Sequence, residues 1–350
     1  MNIITATKLL KKWFKGKKAP PQEIQIYPTN KCNLKCIFCY QRVADYQQWE
    51  ELSDEEWFRV IEEICQLGTE EILISGGGEP LCRKNTVIGI MKIAKDYGLN
   101  GRIITNGTLF LQRDIERIVK LGWDNITFSI DGIGKTHDFL RGKKCFKKCI
   151  KNIRKIEEFK KKSGSKLPSL GINMVLTKYN FNEILKMVKL CKNNGIEFLN
   201  IEPVCVNNPS VENIKIDKKI RNLLIKELLP KAKKLAENYG IHHNFDRLIS
   251  IKLLESTGNV DKILKKRKHK YPCYEPWLWP KIEADGSVWA CSTVNLGINI
   301  RGKSFKNIWY GEEFSNFRKN IAEWRLAPEC KNCVLSHVYI NEEIEKNLIF

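Results

Sequence analysis

Cys32-Asn33-Leu34-Lys35-Cys36-Ile37-Phe38-Cys39 places three thiols within eight residues, directly after the β-pattern Ile24-Gln25-Ile26-Tyr27. Spacings of three residues and then two gather the sulfurs on one tight loop. An iron–sulfur cubane ordinarily takes four thiolates, so a loop supplying three leaves one iron open to a ligand other than protein. Such a cluster does chemistry on that ligand as well as carrying electrons. The competing readings are a zinc knuckle and three unrelated thiols; zinc favours paired cysteines and a closed four-ligand shell.

Outward from this loop, short apolar runs alternate with longer amphipathic ones, the rhythm of β/α units on a parallel sheet. The pattern predicts strands at Ile24–Tyr27, Glu71–Ser75, Gly101–Thr105, Asn125–Ile130, Leu170–Leu176 and Phe198–Pro203. Helices are expected at Asp54–Leu67, Lys84–Tyr97, Gln112–Leu121, Lys144–Lys162 and Asn182–Asn194. Six strands with intervening helices form an α/β fold, a partial (β/α)6 TIM-like barrel, in which reactive groups gather at the C-terminal strand ends. The cysteine loop follows the first strand and so falls on that rim. A helical stretch at Asp217–Tyr239 and a basic linker at Lys262–Lys270 lead to a region without β/α alternation. The expected units are an N-terminal helix (1–22), a core (23–239) and a small C-terminal domain (240–350).

Other strand ends carry polar groups. The second closes with Ser75-Gly76-Gly77-Gly78-Glu79-Pro80, where glycines admit a close-lying ligand and a carboxylate accepts from an ammonium; the plainer reading is a tight turn. Thr105-Asn106-Gly107 closes the third strand, and Ser129-Ile130-Asp131-Gly132 the fourth. Near the C-terminus, Cys273, Cys291, Cys330 and Cys333 make a closed four-thiolate set, suited to structural zinc or to a fully ligated cubane. Between the first two, Ile282 to Trp289 reads as a hairpin turning at Asp285-Gly286. Of the other cysteines, Cys65, Cys145, Cys149 and Cys191 read as helix core, while Cys82 and Cys205 follow strand ends. Glu202, at the end of the sixth strand, is the candidate proton acceptor, with Tyr179 and Glu275 behind it; the competing role for Glu202 is a salt bridge to a lysine.

The three-cysteine loop, with aromatic Phe38 just before its last thiol, resembles the signature of the radical S-adenosylmethionine (radical SAM) superfamily. The resemblance implies that Cys32, Cys36 and Cys39 hold a [4Fe–4S] cluster whose open iron chelates the amino and carboxylate groups of SAM. One electron then cleaves SAM to a 5′-deoxyadenosyl radical, which abstracts a substrate hydrogen. Gly77, Gly78 and Glu79 resemble the element that meets the methionyl amino group. By the same resemblance Asn106, Ser129, Asp131 and Asn173 line the SAM pocket, Arg141 pairs with the carboxylate, and Tyr40 supplies backbone to adenine. The C-terminal four-cysteine pattern resembles the SPASM/Twitch extensions, which implies a second, auxiliary [4Fe–4S] cluster, the shorter one-cluster Twitch form fitting four cysteines better. The implied partners are a small-molecule or peptide substrate and a reductant such as ferredoxin or flavodoxin. The expected chemistry is oxidation or bond formation on that substrate; lipid modification at a membrane and a non-catalytic electron-transfer scaffold are the alternatives.

The 350 residues are 43% hydrophobic and 29% charged, with a net charge of +20 and 13 cysteines. No apolar run reaches the ~20 residues of a membrane span, and the N-terminus lacks a signal-peptide pattern, so the reading is cytosolic. Many cysteines in that setting favour metal ligation over disulfides. The positive charge reads as solvated, lysine-rich faces or a hot-environment composition; no nucleic-acid-binding motif accompanies it. Residues 1–18 interleave apolar side chains with lysines, a helix that either packs on its own domain or lies on an anionic membrane.

Overall fold

The computed structural model describes residues 2–42, 50–204, 209–249, 270–333 and 335–348. The chain opens with α1 (Ile3–Phe14) and then builds β1 (Glu23–Ile26), α2 (Asp54–Gln66), β2 (Glu71–Ile74), α3 (Lys84–Asp96), β3 (Asn100–Thr105), α4 (Gln112–Lys120) and β4 (Asn125–Ser129). It continues through α5 (Lys135–Arg141), α6 (Phe146–Ser163), β5 (Ser169–Leu176), α7 (Ile184–Asn193) and β6 (Phe198–Pro203). The six expected strands and their helices stand within about two residues of their sequence positions. The fold is the expected α/β one: β1 to β6 pair in order, all parallel.

Strand alternation explains the layering. Ile24, Ile26, Ile72, Ile74, Ile103, Ile126, Phe128, Ile172, Met174, Leu199 and Ile201 are buried and share one core with Trp57, Val60 and Ile64 of α2 and Met187 of α7. The alternate positions are mostly polar: Glu23, Gln25, Glu71, Arg102, Asn125, Thr127, Ser129, Asn173, Asn200 and Glu202. Parallel sheets usually bury two apolar faces, so a polar second face marks a cavity rather than a second core. Helix starts follow local chemistry. On α2, Ser53 Oγ accepts from the Glu56 amide (3.1 Å) and Glu56 Oε2 accepts from the Ser53 amide (2.7 Å), a reciprocal cap.

The sheet extends at both edges. After α8 (Lys218–Leu223) and α9 (Leu229–Asn238), β7 (His242–His243) pairs in parallel with β6, and α10 (Phe245–Ile249) follows. Phe245 and Leu248 join the buried core that the strands share. At the opposite edge, β8 (Lys281–Ile282) pairs in parallel with β1, and β9 (Ser287–Trp289) and β10 (Asn295–Asn299) complete an antiparallel meander. The expected hairpin is thus part of a ten-stranded sheet ordered β10-β9-β8-β1-β2-β3-β4-β5-β6-β7. The remaining helices are α11 (Phe305–Trp309), α12 (Glu312–Ala322) and α13 (Leu335–Asn347).

Of the two readings of α1, packing is what the structure shows. Ala6, Leu9 and Leu10 are buried with Tyr274, Trp277, Leu278, Ile321 and Ile344. Trp13 meets Trp309 edge-on, and the Arg318 guanidinium lies over both rings, 4.4 Å and 4.1 Å from their centroids. The first helix therefore packs with segments lying between residues 271 and 348. No helix among the described residues is long and apolar enough to cross a membrane. Positions 262–269 of the expected linker and Cys205 lie outside the described residues.

Candidate active site

The rim above β1 and β2 is tied together before any cofactor is considered. Glu51 accepts from Thr29 Oγ1 (2.8 Å) and from the Asn30 amide (2.8 Å), fixing the entry to the three-cysteine loop. Arg83 binds the carbonyls of Pro28 (3.1 Å) and Leu52 (2.8 Å) and pairs with Asp54. The Gly78 amide donates to the Thr29 carbonyl (3.0 Å) and the Glu79 amide to that of Lys31 (2.9 Å). This closeness is why glycines stand there: a Cβ on Gly78 would sit 2.2 Å from the Lys31 carbonyl oxygen, and one on Gly77 2.3 Å from Asn30 Oδ1 and Gln41 Nε2.

Glu79 is 3% exposed, and its carboxylate is held by Thr105 Oγ1 (2.5 Å), the Asn106 amide (2.7 Å) and the Leu81 amide (3.1 Å). Burial raises its pKa, and these donors work against that shift. Asn106 reaches back to the cysteine loop through Asn33 Oδ1 (2.9 Å), and Asn33 donates to Thr108 (2.9 Å). Loop one, the glycine strand end and the end of β3 thus form a single hydrogen-bonded rim. Gln41, Asn30 and Asn33 belong to it and carry no motif of their own.

Cys32, Cys36 and Cys39 lie close enough to repel as thiolates: Cys36 raises Cys32, and Cys39 raises Cys36. Burial pushes Cys32 up to about 11 and also raises Cys36, so metal uptake at these two thiols releases their protons. Cys82 stands near Cys32 and also raises it, a neighbour with no spacing to announce it. Three thiols on one tight loop, tied through Asn33 and Asn106 to the rim that holds Glu79, fit a cubane with an open iron.

Behind the loop stand Asp131 and Arg141. They pair with each other, Arg141 Nε lying 2.5 Å from Asp131 Oδ2, and Arg141 Nη1 donates to Cys36 Sγ at 3.6 Å. His137 accepts the Asp131 amide on Nδ1 (3.2 Å), which leaves its proton on Nε2, 3.4 Å from Cys145 Sγ. Burial and the Arg141 charge push His137 down to about 3, keeping it neutral. Although His137, Asp138 and Cys145 could geometrically hold a metal, Asp138 Oδ1 already accepts the Cys145 and Phe146 amides.

On the polar sheet face, register aligns Ser129, Asn173 and Asn200 across β4, β5 and β6, with Glu202 one step further along beside Val175. Asn200 was hidden in the sequence because its place depends on that pairing. Burial raises the Glu202 pKa, and Arg247 Nη2 lies 3.5 Å from it. Tyr40 is exposed on a short 3-10 turn; Tyr179 is exposed against Phe139, their centroids 5.1 Å apart.

The second thiol set also converges. Cys291, Cys330 and Cys333 each raise Cys273, whose burial already lifts it far above the ordinary range. Cys291 comes from the turn after β9, and Cys330 and Cys333 from a 3-10 turn at Pro328–Asn332 and its cap. Asn341 of α13 accepts the Tyr274 amide (3.1 Å) and bonds Cys273, bracing the residue from behind. Glu275 is buried in the turn beside Cys273. Lys281 pairs with Glu283 (2.6 Å) and sits 3.8 Å from the Trp289 ring centroid; burial lowers its pKa, against the pull of Glu283 and Cys291. Four cysteines, Cys291 buried and Cys273, Cys330 and Cys333 partly buried, fit a closed metal shell.

Comparison with known proteins follows the same division. The radical SAM superfamily description matches residues 26–191, and the SPASM iron–sulfur cluster-binding domain matches residues 273–334. The sporulation killing factor maturation protein SkfB of Bacillus subtilis is 32% identical over 170 residues, covering 48% of this chain and 38% of that protein. A Pyrococcus furiosus protein, the tungsten-containing aldehyde ferredoxin oxidoreductase cofactor-modifying protein, is 24% identical over 88% of this chain and 85% of its own length. The chain thus spans well under half of SkfB but most of the Pyrococcus protein. Among solved structures, Streptococcus suis SuiB bound to S-adenosylmethionine superposes with a TM-score of 0.66 at 18% identity, covering 93% of this chain and 75% of that one. Native anSMEcpe with bound AdoMet gives 0.62 at 19% identity, covering 91% and 89%. Both match the fold alone at that identity, but the two domain matches fall on the same two thiol sites: the chain carries a radical SAM domain over residues 26–191 and a SPASM iron–sulfur cluster-binding domain over residues 273–334.

Proposed function

We propose that the protein is a radical SAM enzyme that cleaves SAM reductively and abstracts a hydrogen atom from a peptide or small molecule. The radical SAM domain implies a [4Fe–4S] cluster and SAM, and the SPASM domain implies auxiliary iron–sulfur chemistry. Cys32, Cys36 and Cys39 would hold the first cluster; Cys273, Cys291, Cys330 and Cys333 would hold one auxiliary [4Fe–4S] cluster. Bound together, the first cluster and SAM supply the 5′-deoxyadenosyl radical, and the protein's share is to bind, orient and exclude water. The observation that carries this reading is the stitching of the three-cysteine loop to Gly78 and Glu79. An electron carrier has no use for an open iron beside a rim built for an amino acid.

Gly77, Gly78 and Glu79 would receive the methionyl amino group, and Ser129, Asn173, Asn106 and Tyr40 the rest of SAM. Glu202, its pKa raised by burial, would take the proton that leaves when a substrate radical gives up an electron. The auxiliary cluster would accept that electron, giving oxidation or bond formation. The relatives support a maturase: SkfB is a maturation protein, SuiB has been solved with its precursor peptide SuiA, and the Pyrococcus protein modifies a cofactor. A ferredoxin or flavodoxin would supply the first electron.

The test is anaerobic incubation of reconstituted, reduced protein with SAM. We expect 5′-deoxyadenosine; its absence from protein carrying its full iron would favour a non-catalytic scaffold.

A further inference from the structure

Arg141 is buried, 8% exposed, with its guanidinium set among a thiol, a carboxylate and an aromatic ring. Nη1 points at Cys36 Sγ (3.6 Å), Nε faces Asp131 Oδ2 (2.5 Å), and the group lies 5.4 Å from the centroid of the Phe38 ring. Its partner is equally fixed. Asp131 is fully buried; its Oδ1 accepts the Val175 amide (2.8 Å), and its carbonyl accepts Asn180 Nδ2 (2.8 Å), so Oδ2 is the oxygen left for Arg141. The backbone of the same segment grips the cysteine loop: the Lys35 amide donates to the Arg141 carbonyl (3.3 Å) and the Ile37 amide to that of Leu140 (3.0 Å). Gly142 permits this approach, with φ +69° and Lys35 oxygen 2.3 Å from where a Cβ would sit.

We infer that Arg141, held by Asp131, sets the reduction potential of the three-cysteine cluster by donating a charged hydrogen bond to the Cys36 sulfur. The inference rests on the cluster assigned above and names what this chain adds to it. Potentials of iron–sulfur clusters follow local charge and hydrogen bonds to sulfur. The reduced cluster carries one more negative charge, so a buried cation beside a ligand sulfur stabilises it and raises the potential. Asp131 opposes that effect while keeping the guanidinium aimed at Cys36. In low dielectric both charges act strongly at this range. A residue so engaged is a positioning and tuning group, not a clamp on the SAM carboxylate.

The two charges predict shifts of opposite sign. Midpoint potentials of the reconstituted full chain, read by EPR without SAM, should fall in Arg141→Gln and rise in Asp131→Asn. Arg141→Lys keeps the charge and should stay nearer the wild type than Arg141→Gln. The four-cysteine centre in the same molecule serves as the internal control and should not move. Shifts of the same sign in both variants, or none, would overturn the inference; so would unchanged potentials with weakened SAM binding, which would return Arg141 to the carboxylate. If Arg141→Gln takes up no iron, the Asp131→Asn and Arg141→Lys pair still decides the sign. A wild-type chain without iron at the three-cysteine loop would refute the cluster itself, a separately visible result.

Discussion

The two thiol sites are built in opposite ways. The first takes Cys32, Cys36 and Cys39 from one eight-residue loop; Gly78 and Glu79 bond the carbonyls of Thr29 and Lys31 just before it, and the Leu140–Arg141 segment bonds its backbone and the Cys36 sulfur. The second collects Cys273, Cys291, Cys330 and Cys333 from three separated segments, closed over by α13 and the first helix of the chain. A preformed loop with a vacant coordination position suits binding and releasing a ligand. A shell assembled across sixty residues suits permanence, and its metal contributes to the folding of the segments it joins.

The largest effects should separate the sites. Cys36→Ala should abolish 5′-deoxyadenosine formation and remove about four irons per chain. Cys291→Ala should remove a similar number, lower the melting temperature and leave some SAM cleavage. Equal loss of cleavage in a folded Cys291→Ala protein would mean the sites are not independent. Smaller is the effect of Gly78→Ala, whose Cβ meets the Lys31 carbonyl oxygen at 2.2 Å and must push the glycine rim off the cysteine loop. A displacement of about 1 Å costs ~10²-fold in rate, so 5′-deoxyadenosine formation should fall by that order with the iron content retained. Wild-type rates in this variant would show that the contact between the rims does not matter.

Much of this comparison was legible in the sequence, and the reasons are specific. Loop one declares itself because its ligands are sequential, and the strands declare themselves as short runs in which buried Ile24/Ile26 and Ile72/Ile74 alternate with less buried neighbours. What was not legible depends on tertiary register. The pairing of β8 with β1, the seventh strand His242–His243 and the alignment of Asn200 with Asn173 have no local signature. Arg141 reads from sequence as a carboxylate clamp; only the fold shows that Asp131 and Cys36 meet it first. The amphipathic first helix gave two readings, and the buried Leu9 and Leu10 choose packing.

The supports differ too, and pH exposes the difference. His137 has a folded pKa near 3 against 6.5 for an ordinary histidine, so the unfolded chain binds its proton first. Its contribution to stability is complete above pH 6.5 and is lost as pH falls toward 3, at up to about 1.4 kcal/mol per pH unit. Urea unfolding of the metal-free chain should therefore weaken across that window, and His137→Gln should flatten the slope. An unchanged slope would remove His137 from the account. Smallest is the effect expected of Cys82→Ser. This thiol stands beside Cys32 but outside the loop, so iron content and SAM cleavage should stay at wild-type levels; loss of four irons would make the first site a closed one.

The claim that separates the sites is the open iron, and SAM labelled with 15N in its amino group and 17O in its carboxylate reports on it directly. Added to the reduced full chain, it should give hyperfine couplings to one cluster, lost in Cys36→Ala and retained in Cys291→Ala. Absence of coupling in protein with both clusters reduced would contradict the account.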